Sequence, residues 1–153
     1  MNSEKLDYLE TLVEALRDEA IRRSGIRLQR LKELSQSKNL DFVVLFGSFA
    51  HGDATAESDV DIAYFGDKGT PIDPKEWAGI SNRPVDAHDL RKASISLRYE
   101  VAMMGFILYE RHPDAFLFFR CQVKKEFKVR SETNAPESLE GAVALDEFIG
   151  GFQ

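Results

Sequence analysis

Apolar residues recur at three- and four-residue steps near the start of the chain. Leu6, Leu9, Leu12, Val13 and Leu16 fall on one face of a helix, and Ser3 suits its N-cap. The pattern resumes at Ile26, Leu28, Leu31 and Leu34. Residues 1–36 therefore read as two helices, or as one helix broken at Gly25. A short apolar run then follows at 41–46 (DFVVLF), stopped by Gly47, and reads as a buried strand. A second strand is expected at 58–65 (SDVDIAYF) and a third at 84–90 (PVDAHDL). The intervening GSFAHGDATAE has room for one helical turn and a loop, and Pro74 suits the first turn of a short helix over 74–78. Helical spacing returns over 92–104, up to Gly105. Residues 106–109 fit an edge strand, and a last helix is expected from His112-Pro113, with His112 as its cap and Phe116, Phe119, Val123 and Phe127 as apolar positions. These elements predict an α/β (α+β) fold: a small mixed twisted sheet flanked by helices, in one domain over 1–130 with a helical lead over 1–36.

Composition narrows the class. The 153 residues are 43% hydrophobic and 30% charged, with a net charge of −6. An acidic chain is a poor general duplex binder, because such affinity comes from neutralising phosphates, and no direct nucleic-acid binding is expected. A single cysteine, Cys121, excludes an internal disulfide and a multi-cysteine zinc site; within an apolar helix it reads as a buried thiol. No apolar run is long enough to span a membrane, and no secretory leader is evident; a cytoplasmic protein is the expectation. Arg17, Arg22, Arg23, Arg27, Arg30 and Lys32 read first as a solvated face and second as a surface for an acidic partner. Residues 131–153 hold five acids and no Lys or Arg and read as an acidic, mobile tail, with a weak amphipathic helix over 138–149.

The acids are unevenly placed. Between positions 53 and 89 there are nine acids against three cations, a balance of −6. Asp59 and Asp61 alternate in a strand pattern, so both carboxylates face one side while Val60 and Ile62 face the other. Two such carboxylates repel unless a cation lies between them. Asp86 joins them if the second and third strands are neighbours. An all-oxygen donor set suits Mg²⁺ or Mn²⁺. Upstream, Gly47-Ser48 follows directly on a buried strand, and a helix starting at Ser48 would offer free N–H groups to an anion. A phosphate cradle beside an acidic metal site is what phosphoryl or nucleotidyl transfer requires.

Gly47-Ser48, ten residues, then Asp59-Val60-Asp61, with a later strand acid at Asp86, resembles the GSx10DxD signature of the DNA polymerase β-like nucleotidyltransferases. LFGSFAHGDATAESDVDIAYF and VDAHDL, over about residues 40–110, resemble more narrowly the minimal nucleotidyltransferase (MNT, MntA-type) antitoxins of HEPN–MNT toxin–antitoxin pairs. The resemblance implies metal binding and catalysis by Asp59, Asp61 and Asp86, with Asp89 a weaker candidate for the third acid. It implies contacts from Gly47 and Ser48 to the nucleotide phosphates. The implied reaction moves AMP from ATP to a tyrosine hydroxyl of a cognate HEPN ribonuclease toxin, with Mg²⁺ or Mn²⁺, and so silences it. The alternatives are an antitoxin that neutralises by binding alone, and a small-molecule nucleotidyltransferase. One position departs from the family: His51 stands where many members carry arginine. His88 alternates with Asp86 on a strand face; a structural histidine is its first reading and a ligand its second. Leu117, Phe118 and Phe119 cannot all face one core, so at least one is expected against a partner.

Overall fold

The computed structural model describes residues 2–66 and 72–133. Most of the expected tail, including a helix over 138–149, lies outside the described residues. The elements run α1 (Ser3–Ser24), α2 (Leu28–Ser37), β1 (Leu40–Phe46), α3 (Ser48–His51), β2 (Val60–Gly66), α4 (Pro74–Ala78), β3 (Val85–Asp89), α5 (Ile95–Met104), β4 (Phe106–Glu110) and α6 (Ala115–Thr133). The four strands form one mixed sheet in the order β3-β2-β1-β4. β1 is antiparallel to β2 and β4, whereas β2 and β3 are parallel. β1 is buried along its whole length, as a central strand covered on both faces should be.

Alternation along the strands divides the core in two. Phe42, Val44, Phe46, Ala63 and Phe65 pack with α5 and α6 residues that include Val101, Phe116, Phe119 and Val123. Val43, Leu45, Val60 and Ile62 face the other way, against Leu31 of α2, the last turns of α1, Trp77 and Ile80. Rings fill the first layer: Phe42 stacks 5.8 Å from Phe65 and meets Phe116 and Phe119 edge-on. Arg98 of α5 is fully buried, and its guanidinium donates to Ala93 O at 2.7 Å and to Glu126 Oε1 of α6 at 2.8 Å.

Several sequence expectations need correction at element ends. Gly25, at φ +70°, separates two helices. Asn2, not Ser3, caps α1, its side chain accepting from Lys5 N at 2.9 Å. α5 begins at Ile95 because Ser94 caps it. α6 begins at Ala115 rather than at His112-Pro113: Asp114 turns to φ +68°, and His112 supplies only a backbone carbonyl to Ala115 N. Cys121 is exposed, not buried, because the buried stripe of α6 runs through Phe116, Phe119 and Val123. Four of the arginines of the lead hold backbone rather than simply facing solvent: Arg17 donates to Ile107 O, Arg23 to Ala54 O, and Arg27 and Arg30 to Gly79 O. The largest departure is α1 itself, whose apolar stripe over residues 6–16 is exposed. Among the described residues, no helix is long and apolar enough to cross a membrane.

Candidate active site

The sheet register brings the candidate residues together at one end. Phe46 pairs with Asp61, and Asp61 with Asp86, so the last residue of β1 and the two acids share a rung. β1 continues into Gly47 at φ +72°, ψ −150°, a conformation that disfavours any side chain. A Cβ there would lie 2.3 Å from Asp61 Oδ2. Only glycine lets the chain cross this close to the carboxylate. Ser48 then opens the single turn α3, which is closed by His51 N donating to Gly47 O at 3.0 Å and anchored by buried Phe49. One turn sums too few peptides for a large macrodipole, so what it offers an anion is its first N–H groups, which have no partner within the helix.

Asp61, Asp86 and His88 each present a donor atom within 4.8 Å of the others. His88 Nε2 lies 3.1 Å from Asp86 Oδ2 and 3.9 Å from Asp61 Oδ1, and its ring meets Phe46 edge-on at 5.2 Å. The His88 pKa is raised above the ordinary imidazole value, chiefly by Asp61 with Asp86 adding to it, against partial burial. At 3.9 Å the Asp61 contact is an ion pair; the 3.1 Å contact to Asp86 is the one of hydrogen-bond length. We therefore take the paired carboxylates as the cause. A site that draws a proton onto an imidazole would equally draw a metal cation.

Asp59 is exposed and precedes β2 by one residue. It stands outside the three-residue group. The loop that carries it is nonetheless held. Ser58 Oγ accepts from Thr55 N at 2.8 Å, and Arg83 donates to Thr55 O and Ala56 O while lying over the Phe49 ring. Arg83 thus links the loop before the acids to α3, a role that no sequence spacing signalled. Asp89 alternates onto the opposite face and receives Arg91 N at 2.9 Å, which separates it from Asp61. His51 is exposed at the end of α3.

A central strand leading into a glycine turn, with carboxylates on the adjoining strands of a mixed sheet, defines the class of phosphate-handling transferases. The comparisons identify the family. Residues 29–114 match the family described as Polymerase beta, Nucleotidyltransferase, and the chain belongs to it. No curated protein matches. Among solved structures, the chain is similar to a toxin–antitoxin with AMP-PNP (23% identity, 71% of this chain and 94% of that one, TM-score 0.60). It is similar also to a toxin–antitoxin MntA-HepT (21%, 70% and 90%, 0.53). A third is a tri-AMPylated Shewanella oneidensis HEPN toxin in complex with MNT antitoxin (23%, 70% and 89%, 0.52). At these identities the likeness is one of fold, and the fold is that of the nucleotidyltransferases.

Proposed function

We propose that this protein is an MNT-type antitoxin: a metal-dependent nucleotidyltransferase that moves AMP from ATP to a tyrosine hydroxyl of a cognate HEPN ribonuclease toxin. The observation that carries the reading is the Asp61–Asp86–His88 group one rung from Gly47. The residues fit a divalent cation: two carboxylates and one imidazole converge at a partly exposed sheet end, under a field that already raises the His88 pKa. Asp61 and Asp86 would hold the ion, with Asp59 reaching it from the loop that Ser58 and Arg83 support. A bound Mg²⁺ or Mn²⁺ would supply charge neutralisation on the triphosphate and acidify the acceptor hydroxyl.

The remaining steps belong to the chain. Gly47 and the first N–H groups of α3 would receive phosphate oxygens, because no side chain blocks the approach. Asp86, more exposed than Asp61, would take the proton from the tyrosine hydroxyl. The phenolic oxygen then bonds to the α-phosphorus, the bond from that phosphorus to the bridging oxygen breaks, and pyrophosphate leaves with the electron pair. Arg83 would keep the loop closed around the phosphates by holding its carbonyls.

Incubation with the protein encoded by the neighbouring gene, ATP and Mg²⁺, followed by intact-mass measurement, tests the reading. AMP-sized additions that vanish in the Asp59→Ala/Asp61→Ala double variant are expected. Retained transfer in that variant would sink it. A second reading, neutralisation by binding alone, is favoured by the place of Asp59 outside the acidic group and by His51 at the arginine position. It predicts a stable complex with both forms and no added mass.

A further inference from the structure

The first four turns of α1 carry a wide apolar stripe that is exposed among the described residues of a single copy. Leu6, Leu9, Leu12, Val13 and Leu16 are each between 42% and 53% exposed. Positions 6, 9, 13 and 16 follow the alternating three- and four-residue steps of a helix-pairing seam, and Leu12 widens it. Only Ala20, Ile21 and Ser24, in the last two turns, are buried against the domain. The stripe lies outside the residues that match the family, 29–114, so it is an addition to the shared domain and not part of its core. An isolated amphipathic helix of this length gains most of its stability from covering such a face, and a contiguous exposed patch marks an interaction surface.

We propose that the occupant is a second copy of this chain, with the two α1 helices paired antiparallel into a homodimer. Charge decides the orientation. Residues 3–14 carry Glu4, Asp7, Glu10 and Glu14 against Lys5, a balance of −3, while residues 15–24 carry three arginines against two acids, a balance of +1. Antiparallel pairing sets the acidic half of each helix beside the basic half of the other and opposes the helix dipoles favourably. Parallel pairing sets like halves together. It also forces both domains, which dock on the last turns of α1, to one end of the pair.

The register follows from the seam. Leu6 of one copy meets Leu16 of the other, and Leu9 meets Val13, about a two-fold axis through position 11. On one flank Leu12 meets its own copy and each Lys5 comes beside Glu19 of the partner copy, where it would share a carboxylate that Arg22 of that same helix already holds. On the other flank the two Glu10 side chains approach one another at the rim, which weakens the pair slightly and provides a test.

Sedimentation equilibrium of the full chain over a wide concentration range tests the proposal. A dimer is expected. Leu9→Glu should weaken it by about 100-fold or more, since one variant removes two buried leucines per dimer, with the circular dichroism and melting of the domain kept. Lys5→Glu should weaken it roughly five- to tenfold, and Lys5→Glu/Glu19→Lys should restore it; Glu10→Gln should tighten it. A monomer at 100 µM (about the upper range for a specific dimer) would overturn the proposal. A dimer indifferent to Leu9→Glu, or a Lys5→Glu variant that Glu19→Lys fails to rescue, would do the same. None of these results depends on nucleotide transfer, so the dimer and the catalytic reading stand or fall separately.

Discussion

α1 and α6 are the two long helices of this chain, 22 and 19 residues, and both carry apolar residues at helical spacing. α6 lays Phe116, Phe119 and Val123 on the sheet, where they meet Phe42 and Phe65, and Arg98 of α5 reaches Glu126 on its flank. α1 lays its last two turns and Arg17 on its own domain and leaves the apolar stripe over residues 6–16 exposed. Periodicity announces that a face exists; it does not say whether the chain itself covers it. The candidate active site lies on the α6 side of the sheet, where Asp61 shares a face with Ala63 and Phe65. The acids thus lie on the face that α6 covers, whereas the last turns of α1 pack beside Phe49 of α3 and hold Ala54 O through Arg23, leaving only the first turns of α1 without a layer of their own.

Truncation of each stripe should separate the two most sharply. Phe119→Ala removes a fully buried ring from a layer of four and should cost about 3–5 kcal/mol. Leu9→Ala, read at a concentration where the chain is monomeric, should change stability by no more than about 0.5 kcal/mol. Denaturant melts of the two variants check this, and equal losses would break the comparison. Next in size is Glu126→Ala. It leaves the Arg98 guanidinium buried without its carboxylate, and should cost about 3 kcal/mol. A smaller loss than that of an exposed glutamate elsewhere on α6 would mean that the ion pair is not what holds α5 to α6.

Element order was legible in the sequence because each strand is an apolar or alternating run bounded by Gly or Pro. The pairing of β2 with β3 was open, and it is this parallel pairing that sets Asp86 beside Asp61. Element ends were the weaker part. The start of α6 turns on one left-handed residue, Asp114; Asp visits positive φ more readily than most residues, but Pro113-Asp114 reads equally well as the first turn of a helix. His88 was visible only as an alternate position to Asp86, and whether it meets the acids depends on the sheet register. Arg83 was invisible, because its partners are carbonyls of a loop 25 to 28 residues away.

Gly47→Ala tests how tightly the site is built into the end of β1. At φ +72°, ψ −150° Gly47 occupies a region nearly reserved for glycine, which costs about 1–3 kcal/mol for a residue with a Cβ. The new methyl group would also press on the Asp61 carboxylate, so AMP transfer should fall further than stability does. Gly52→Ala is the control: its φ is +86° but nothing lies within 4 Å of the added carbon, so it should show the backbone cost alone. Matching transfer by the two variants would mean that the approach of Gly47 to Asp61 is incidental.

The smallest effect expected is the titration of His88, and it separates the acidic end of the packed face from an ordinary surface. Two carboxylates hold the folded-state pKa above that of the unfolded chain. The stabilisation from the protonated imidazole is therefore complete below the unfolded value, about 6.5, and is lost as pH rises through the folded value. Proton NMR of the imidazole in the metal-free protein should give a raised pKa, and Asp61→Asn should lower it. Divalent cation should act in the same direction as Asp61→Asn, because cation and proton compete for one negative pocket. If His88 titrates like a free imidazole, with or without Asp61, the carboxylates are not focused on it, and the site at the end of the packed face is looser than its geometry implies.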